Sequence, residues 1–266
     1  MNKLDITGVH KTFNPGTINE KKALNDLNLH LQDGDFVQII GGNGAGKSTM
    51  LNCLAGMFPV DAGTIVIDGE DVTRLPEYKR ANLLGRVFQD PMMGTAANMN
   101  IEENLSLALH RGQKRGLRWA VTNEDRDFFS TQLKMLDLGL ENRMTSKVGL
   151  LSGGQRQALT LLMATLRRPK ILLLDEHTAA LDPKTAAKVL ELSEKIIAEN
   201  HLTAMMVTHN MRDAIRHGNR LIMMHNGHII LDISGEEKKK LTVESLLEQF
   251  TKVSGSELAN DRMLLS

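Results

Sequence analysis

The chain has 266 residues, 41% hydrophobic and 24% charged, with 32 Lys+Arg balanced by 32 Asp+Glu. That is enough apolar material for one domain with an inserted lobe, and the zero balance offers no electrostatic footprint for nucleic acid or anionic lipid. One cysteine, Cys53, excludes an intramolecular disulfide and suits a reducing compartment. The opening MNKLDITGVH contains an acidic residue and no apolar core, so it is not read as a signal peptide. Apolar runs such as Ile171 to Leu174 fall far short of the roughly 20 residues that span a bilayer. Any membrane part is therefore expected from another chain.

Leu4 to Val9 and Phe36 to Ile40 read as strands, and the second runs directly into Gly41-Gly42-Asn43-Gly44-Ala45-Gly46-Lys47-Ser48-Thr49. A helix is expected from about Lys47 to Ala55. The loop fits G-x-x-x-x-G-K-[ST]. Its glycines let the backbone turn N–H groups onto phosphate oxygens, and the helix start adds partial positive charge. Lys47 is expected on the β- and γ-phosphates and Ser48 on Mg²⁺. An unrelated glycine turn with a chance lysine is a poor fit to the strand before it and the helix after it.

Thr64 to Ile67 alternates and ends at Asp68-Gly69, a turn signal, and Arg86 to Phe88 reads as a further short strand. The pattern then changes. Ile101 to His110, Asp127 to Leu136 and Ser152 to Arg167 carry apolar residues at helical spacing, as expected of a helical lobe inserted at 91–168. Within it, Leu151-Ser152-Gly153-Gly154-Gln155 opens a helix with a good N-cap and bare backbone. One nucleotide needs one phosphate loop in its own chain. This second helix start is therefore expected to face the nucleotide of another subunit in a two-fold dimer. A capped helix without a ligand is the other reading of the same residues.

Ile171 to Asp175 returns to strand, a fully apolar run closed by Asp175-Glu176. At the C-terminal end of a parallel strand, Asp175 suits a Mg²⁺ shell and Glu176 suits an attacking water. Alone, such a pair also describes a solvated turn; behind a phosphate loop it reads as the pair of a nucleotide hydrolase. A helix from Pro183 to Asn200 and a strand from Thr203 to Thr208 follow. Leu221 to Met224 and His228 to Ile233 flank Asn226-Gly227, a strong hairpin signal. A charged tail at 236–266 carries one expected helix, Val243 to Phe250.

LSGGQ at 151–155, lying between the phosphate loop and Ile171-Leu172-Leu173-Leu174-Asp175-Glu176, resembles the signature of ABC-type ATPases. The resemblance runs from about Leu4 to Ile233, with the motifs in the family's order. It implies an α/β fold: a P-loop NTPase core with a mostly parallel sheet, an N-terminal antiparallel β portion and the helical lobe. It divides the chain into an ATPase domain at 1–235 (core 1–90 and 169–235) and the tail. It further implies Phe13 on adenine, Gln89 at Mg²⁺ and the water, Asp182 at the dimer interface, and His209 at the γ-phosphate. Ser152 to Gln155 would meet ATP in trans. One departure is His177, where the family commonly has proline; it bears on the path of the loop towards Asp182.

By the same resemblance, the chain is expected to hydrolyse ATP as a homodimer at the cytoplasmic face of the cell membrane. It would energise import through separate permease subunits with a solute-binding protein, and the residues from Asp175 to Pro183 look like those of uptake ATPases, some associated with amino acids. Two rivals keep the fold. One gates a signalling or cell-envelope partner. The other acts in translation or DNA repair, but there is one cassette here and no room for a long coiled coil. His201, His209, His217 and His225 recur every eight residues on segments of different type and are not read as a metal site. Cys53 is expected to be buried. Met92, Met93 and Met99 suit either a partner's helix or gap filling. Glu236 to Lys240 is expected to be a solvated turn.

Overall fold

The computed structural model describes residues 2–113 and 119–254. In chain order its strands are β1 (Leu4–Phe13), β2 (Lys21–Leu31), β3 (Phe36–Ile40), β4 (Ala62–Ile67), β5 (Glu70–Asp71), β6 (Leu84–Val87), β7 (Ile171–Asp175), β8 (Ala204–Val207), β9 (Arg220–His225) and β10 (His228–Ser234). The helices are α1 (Lys47–Ala55), α2 (Glu77–Arg80), α3 (Ile101–Leu109), α4 (Asn123–Lys134), α5 (Gly153–Thr165), α6 (Pro183–Glu199), α7 (Met211–Arg216), α8 (Gly235–Lys239) and α9 (Val243–Ser254). They gather into two compact units. One runs to Arg80 and resumes at His201; the other is Ala81 to Asn200.

In the first unit, β2, β1, β4 and β5 form an antiparallel sheet. β3 lies parallel to both β8 and β9, and β10 pairs antiparallel with β9. All five residues of β3 are buried, which explains its unbroken apolar reading apart from Gln38. The β9–β10 hairpin turns at Asn226 (φ 48°) and Gly227 (φ 80°), the left-handed pair that an Asn-Gly turn supplies. On α9, Leu246 and Phe250 pack with Ile40, Met211, Ala214, Leu221 and Met223, so the tail helix closes part of the core.

The structure differs from the sequence reading at several places: β5 and α2 were not expected, β6 lies at Leu84–Val87 rather than Arg86 to Phe88, and three further differences bear on the core. β2 is a strand the pattern concealed: Asp26 bulges at φ 49°, so the buried positions shift from Ala23 and Leu24 to Leu27, Leu29 and Leu31. α7 was missed although Asn210 caps it, its Oδ1 accepting from the Arg212 and Asp213 amides. The expected solvated turn at Glu236 to Lys240 is helix α8. There Lys238 is buried and its ammonium donates to Ile215 O (2.9 Å), His217 O (2.5 Å) and Gly218 O (3.0 Å). These carbonyls end α7, where a cation is favoured, and the lysine stem is apolar enough to lie in the core.

Arg80 plays the same part for α1. Its buried guanidinium donates to Cys53 O (2.7 Å) and Leu54 O (2.9 Å) at the helix end, and to Thr73 O and Leu75 O.

In the second unit, β6 and β7 pair in parallel, with Val87 opposite Leu174. α3, α4 and α5 carry reciprocal capping boxes from Asn100, Thr122 and Ser152. Thr122 starts α4 four residues ahead of the expected Asp127 start at its first helical residue, Asn123, because its hydroxyl and the Asp125 carboxylate cap each other's amides. α6 buries Val189, Leu190, Ser193, Ile196 and Ile197. Among the described residues, no helix is long and apolar enough to cross a membrane.

Candidate functional site

The first unit carries the phosphate loop. Gly41 (φ 149°), Gly44 (φ 79°) and Gly46 (φ 106°) place the backbone in regions that side chains disfavour. A Cβ on Gly41 would stand 2.3 Å from Met224 O, and one on Gly46 would stand 2.5 Å from Ala23 O. Two of the glycines are thus demanded by close packing as well as by turning. The β9–β10 turn forms the support: Gly227 N–H donates to Ala45 O (3.0 Å), and Asn25 N–H donates to Gly227 O (3.1 Å).

α1 starts on Gly46 with no side-chain cap and no acidic residue in its first turn. Its leading amides keep their partial positive charge for an anion. Lys47 is buried and its ammonium donates to Gly41 O (2.7 Å) and Gly42 O (3.1 Å), folded over the loop. Asn43, Gly44 and Ser48 are exposed, Thr49 is half-buried, and Ala45 is buried.

His209 lies just beyond β8. The Thr208 amide donates to Ile39 O (3.1 Å), so β3 and β8 end level and bring His209 and the phosphate loop to the carboxyl ends of the parallel strands. Open parallel sheets take ligands at that end of the strands. Phe13 closes β1, half-buried, edge-on to Phe58 at 5.3 Å, with the Lys11 ammonium 5.6 Å from its ring centre. Cys53, on α1, is buried, and that burial pushes its thiol up from 9.0 to about 11.

The second unit carries the carboxylates. Parallel β6 and β7 end level, so Gln89 and Asp175 emerge at the same end. Asp175 faces Arg86 at 3.6 Å, and the Arg86 guanidinium covers the Phe88 ring at 4.5 Å. Gln157, buried on α5, donates to Phe88 O (3.1 Å) and so ties the segment before Gln89 to the helix that Ser152 opens. Gln157 was not singled out in the sequence, because the pairing spans distant residues and leaves no local signal. Met92 and Met93 beyond it are exposed rather than filling gaps, and Met99 is half-buried.

Glu176 takes a left-handed backbone (φ 47°), turning the chain sharply after β7. Its carbonyl accepts from the Ala179 amide (2.9 Å) and that of Thr178 from Leu181 (3.2 Å). Asp182 caps α6, accepting from the Thr185 amide (3.1 Å); these bonds hold its exposed carboxyl below the usual range. His177 is wholly buried, with Nε2 2.9 Å from Ser193 Oγ on α6, and burial pushes its pKa down to about 4.

Ser152 and Gly153 are exposed while Gly154 is buried. A Cβ on Gly154 would stand 2.2 Å from Thr185 Cγ2, and one on Gly153 would stand 3.2 Å from Leu181 Cδ2. The bare backbone that the sequence reading expects for a ligand serves, in the fold, the packing of α5 on the start of α6. Ser152, Gly153, Gly154, Asp182 and the Glu176 loop are thereby gathered in one unit.

Residues 24–179 match a family model described as ABC transporter, more than half of the chain. The tyrosine transport ATP-binding protein of Clostridioides difficile (strain R20291) is 46% identical over 248 residues, covering 93% of this chain and 98% of the relative. The thiamine import ATP-binding protein ThiQ of Salmonella choleraesuis (strain SC-B67) is 37% identical over 201 residues, 76% and 80% of the two chains. Among solved structures, the dimeric post-hydrolysis state of the ATP-binding cassette MJ0796 bound to ADP and Pi is similar at a TM-score of 0.74 and 31% identity. It covers 87% of this chain and 98% of its own.

Proposed function

We propose that this chain, which belongs to the ABC transporter family, binds and hydrolyses ATP to drive import through separate membrane permease subunits, and that its cargo is an amino acid. The observation that carries the reading is the phosphate loop: glycines at positive φ, an uncapped α1 start, and a buried Lys47 folded over the loop. That combination suits a polyphosphate and offers little to an uncharged ligand.

In this reading adenine stacks on Phe13, and the phosphates take the Gly41 to Thr49 backbone with Lys47. Glu176 orients a water and takes its proton as the water oxygen bonds to the γ-phosphorus. The bond to the bridging oxygen breaks, and ADP and phosphate leave. Gln89 holds the water, while His209 and Lys47 stabilise the developing charge. Ser48, Gln89 and Asp175 supply a hydroxyl, an amide oxygen and a carboxylate, an all-oxygen donor set that suits Mg²⁺. When bound, Mg²⁺ would neutralise charge on the β- and γ-phosphate oxygens.

Ser152, Gly153, Gly154 and Gln155 engage the nucleotide of the second copy, and Asp182 lies at that dimer interface. The exposed Met92 and Met93 after Gln89 suit contact with the permease, as adaptable apolar side chains. The permease holds the chain at the cytoplasmic face of the cell membrane, and a solute-binding protein delivers the cargo. The amino-acid assignment is supported by the tyrosine transport relative, which is similar along nearly its whole length.

The test is reconstitution with the neighbouring permease in vesicles, followed by tyrosine uptake. Uptake should require ATP and vanish in Lys47→Ala. Uptake that persists in Lys47→Ala would remove that lysine from its role. ATP-driven uptake of other solutes but not of amino acids would overturn the cargo.

A further inference from the structure

Glu176 stands in a backbone conformation that costs a residue with a Cβ on the order of 1 kcal/mol or more, and such conformations persist only where the surroundings over-determine them. Four buried residues of β7 fix the chain on one side. On the other side, the next side chain is His177, wholly buried and 2.9 Å from Ser193 Oγ.

The direction of that bond follows from the serine. Ser193 Oγ donates its one proton to Val189 O at 2.8 Å, so towards His177 it accepts. His177 therefore carries its proton on Nε2 and donates. The serine is fully buried in the interior of α6, a rigid anchor rather than a surface contact. The same loop is tied again at its far end, where Asp182 caps α6.

We propose that His177 is a positioning residue for hydrolysis: its bond to Ser193 clamps the turn after β7 to the interior of α6 and so sets the direction of the Glu176 carboxylate. This rests on the reading of Glu176 as the group that orients the attacking water. His177, wholly buried, acts through its neighbour. Loss of the clamp releases the left-handed turn, and a carboxylate displaced by about 1 Å can cost as much as 100-fold in rate. Nucleotide binding, carried by the phosphate loop, is left intact.

The experiment compares steady-state ATP hydrolysis by the full chain with its Ser193→Ala, His177→Phe, His177→Gln and Glu176→Gln variants, with a thermal melt on each. Ser193→Ala removes the acceptor from a distance, and His177→Phe fills the space without a donor. Both should lower kcat by about tenfold to 100-fold while the KM for ATP stays within about twofold, because the interaction is used in the transition state and not in binding. His177→Gln, which keeps an amide donor near the Nε2 position, should recover most of the rate. Folded Ser193→Ala and His177→Phe proteins with unchanged kcat would overturn the proposal. Should those two fail to fold, His177→Gln decides: a folded protein with near-normal kcat supports the clamp, and one with a collapsed kcat overturns it. Glu176→Gln separates the two claims. If that variant hydrolyses ATP at the normal rate, the reading of Glu176 fails. If it is inactive while the clamp variants are normal, only the clamp fails.

Discussion

Ser152 and Gln155 cap each other. The Gln155 amide donates to Ser152 Oγ at 3.3 Å, and the Ser152 amide donates to Gln155 Oε1 at 3.2 Å. A serine read from sequence as a ligand to a neighbouring subunit's phosphate is thus also a helix cap, and the two roles are separable. Ser152→Ala should lower stability by about 1 kcal/mol through the lost cap. Ser152→Asp keeps a cap acceptor but sets a negative charge where the partner's triphosphate is proposed to lie. It should melt near the wild-type temperature, yet fail to form an ATP-dependent dimer in a Glu176→Gln background, followed by light scattering. A dimer that forms normally with aspartate there would place the phosphate elsewhere.

Gly154 should not tolerate even one methyl. Its Cβ would meet Thr185 Cγ2 at 2.2 Å, so Gly154→Ala should cost about 1–3 kcal/mol by overpacking. Thr185→Ser removes the opposing methyl, and the double variant should regain most of the loss in a urea titration. Gly153→Ala meets only the flexible end of Leu181, at 3.2 Å, and should be milder. Equal losses at both glycines, or no recovery in the double variant, would show that α6 is not the constraint.

Arg80 satisfies four carbonyls at once, two of them at the end of the helix that begins at the phosphate loop. Arg80→Met leaves all four without their cation and should cost about 3 kcal/mol, read as a lower urea midpoint. Arg80→Lys should recover only part, since one ammonium has three protons and no planar fork.

Cys53 supplies a prediction on the alkaline side. Burial raises its thiol to about 11 from 9.0. Above pH 9 the unfolded chain releases a proton that the folded chain keeps, so the folded state loses stability as pH rises from 9 and the loss levels off near 11. The loss is on the order of 2–3 kcal/mol. Cys53→Ala should lack this component in melts taken between pH 8 and 10.5. At pH 8 the wild-type thiol should react with iodoacetamide only upon unfolding.

The sequence disclosed the parts of this protein whose signals are local. β3, α1 and β7 match the residues expected of them, because each is a continuous apolar run or a helix opened by a distinctive loop. Gly41 to Ser48 were legible for the same reason. What stayed hidden depends on partners far along the chain. β2 was masked by the bulge at Asp26; Lys238 looked solvated because its carbonyl partners lie at and just beyond the end of α7; Gln157 and Ser193 gave no sign of Phe88 and His177. His177 stands out in the sequence only as a departure from the family resemblance, where proline is common, and its bond to Ser193 is visible only in the fold.

The hydrogen bonds that join the β9–β10 turn to the phosphate loop are main chain to main chain. Gly227 offers its amide to Ala45 and its carbonyl to Asn25, and the bare faces of Gly46 and Gly227 meet. These hydrogen bonds run between main-chain atoms, so a change of side chain does not remove them. Two glycines remote in the chain carry a shared obligation: a methyl on either one lifts the cradle from its footing, and no compensating change in a side chain can restore it.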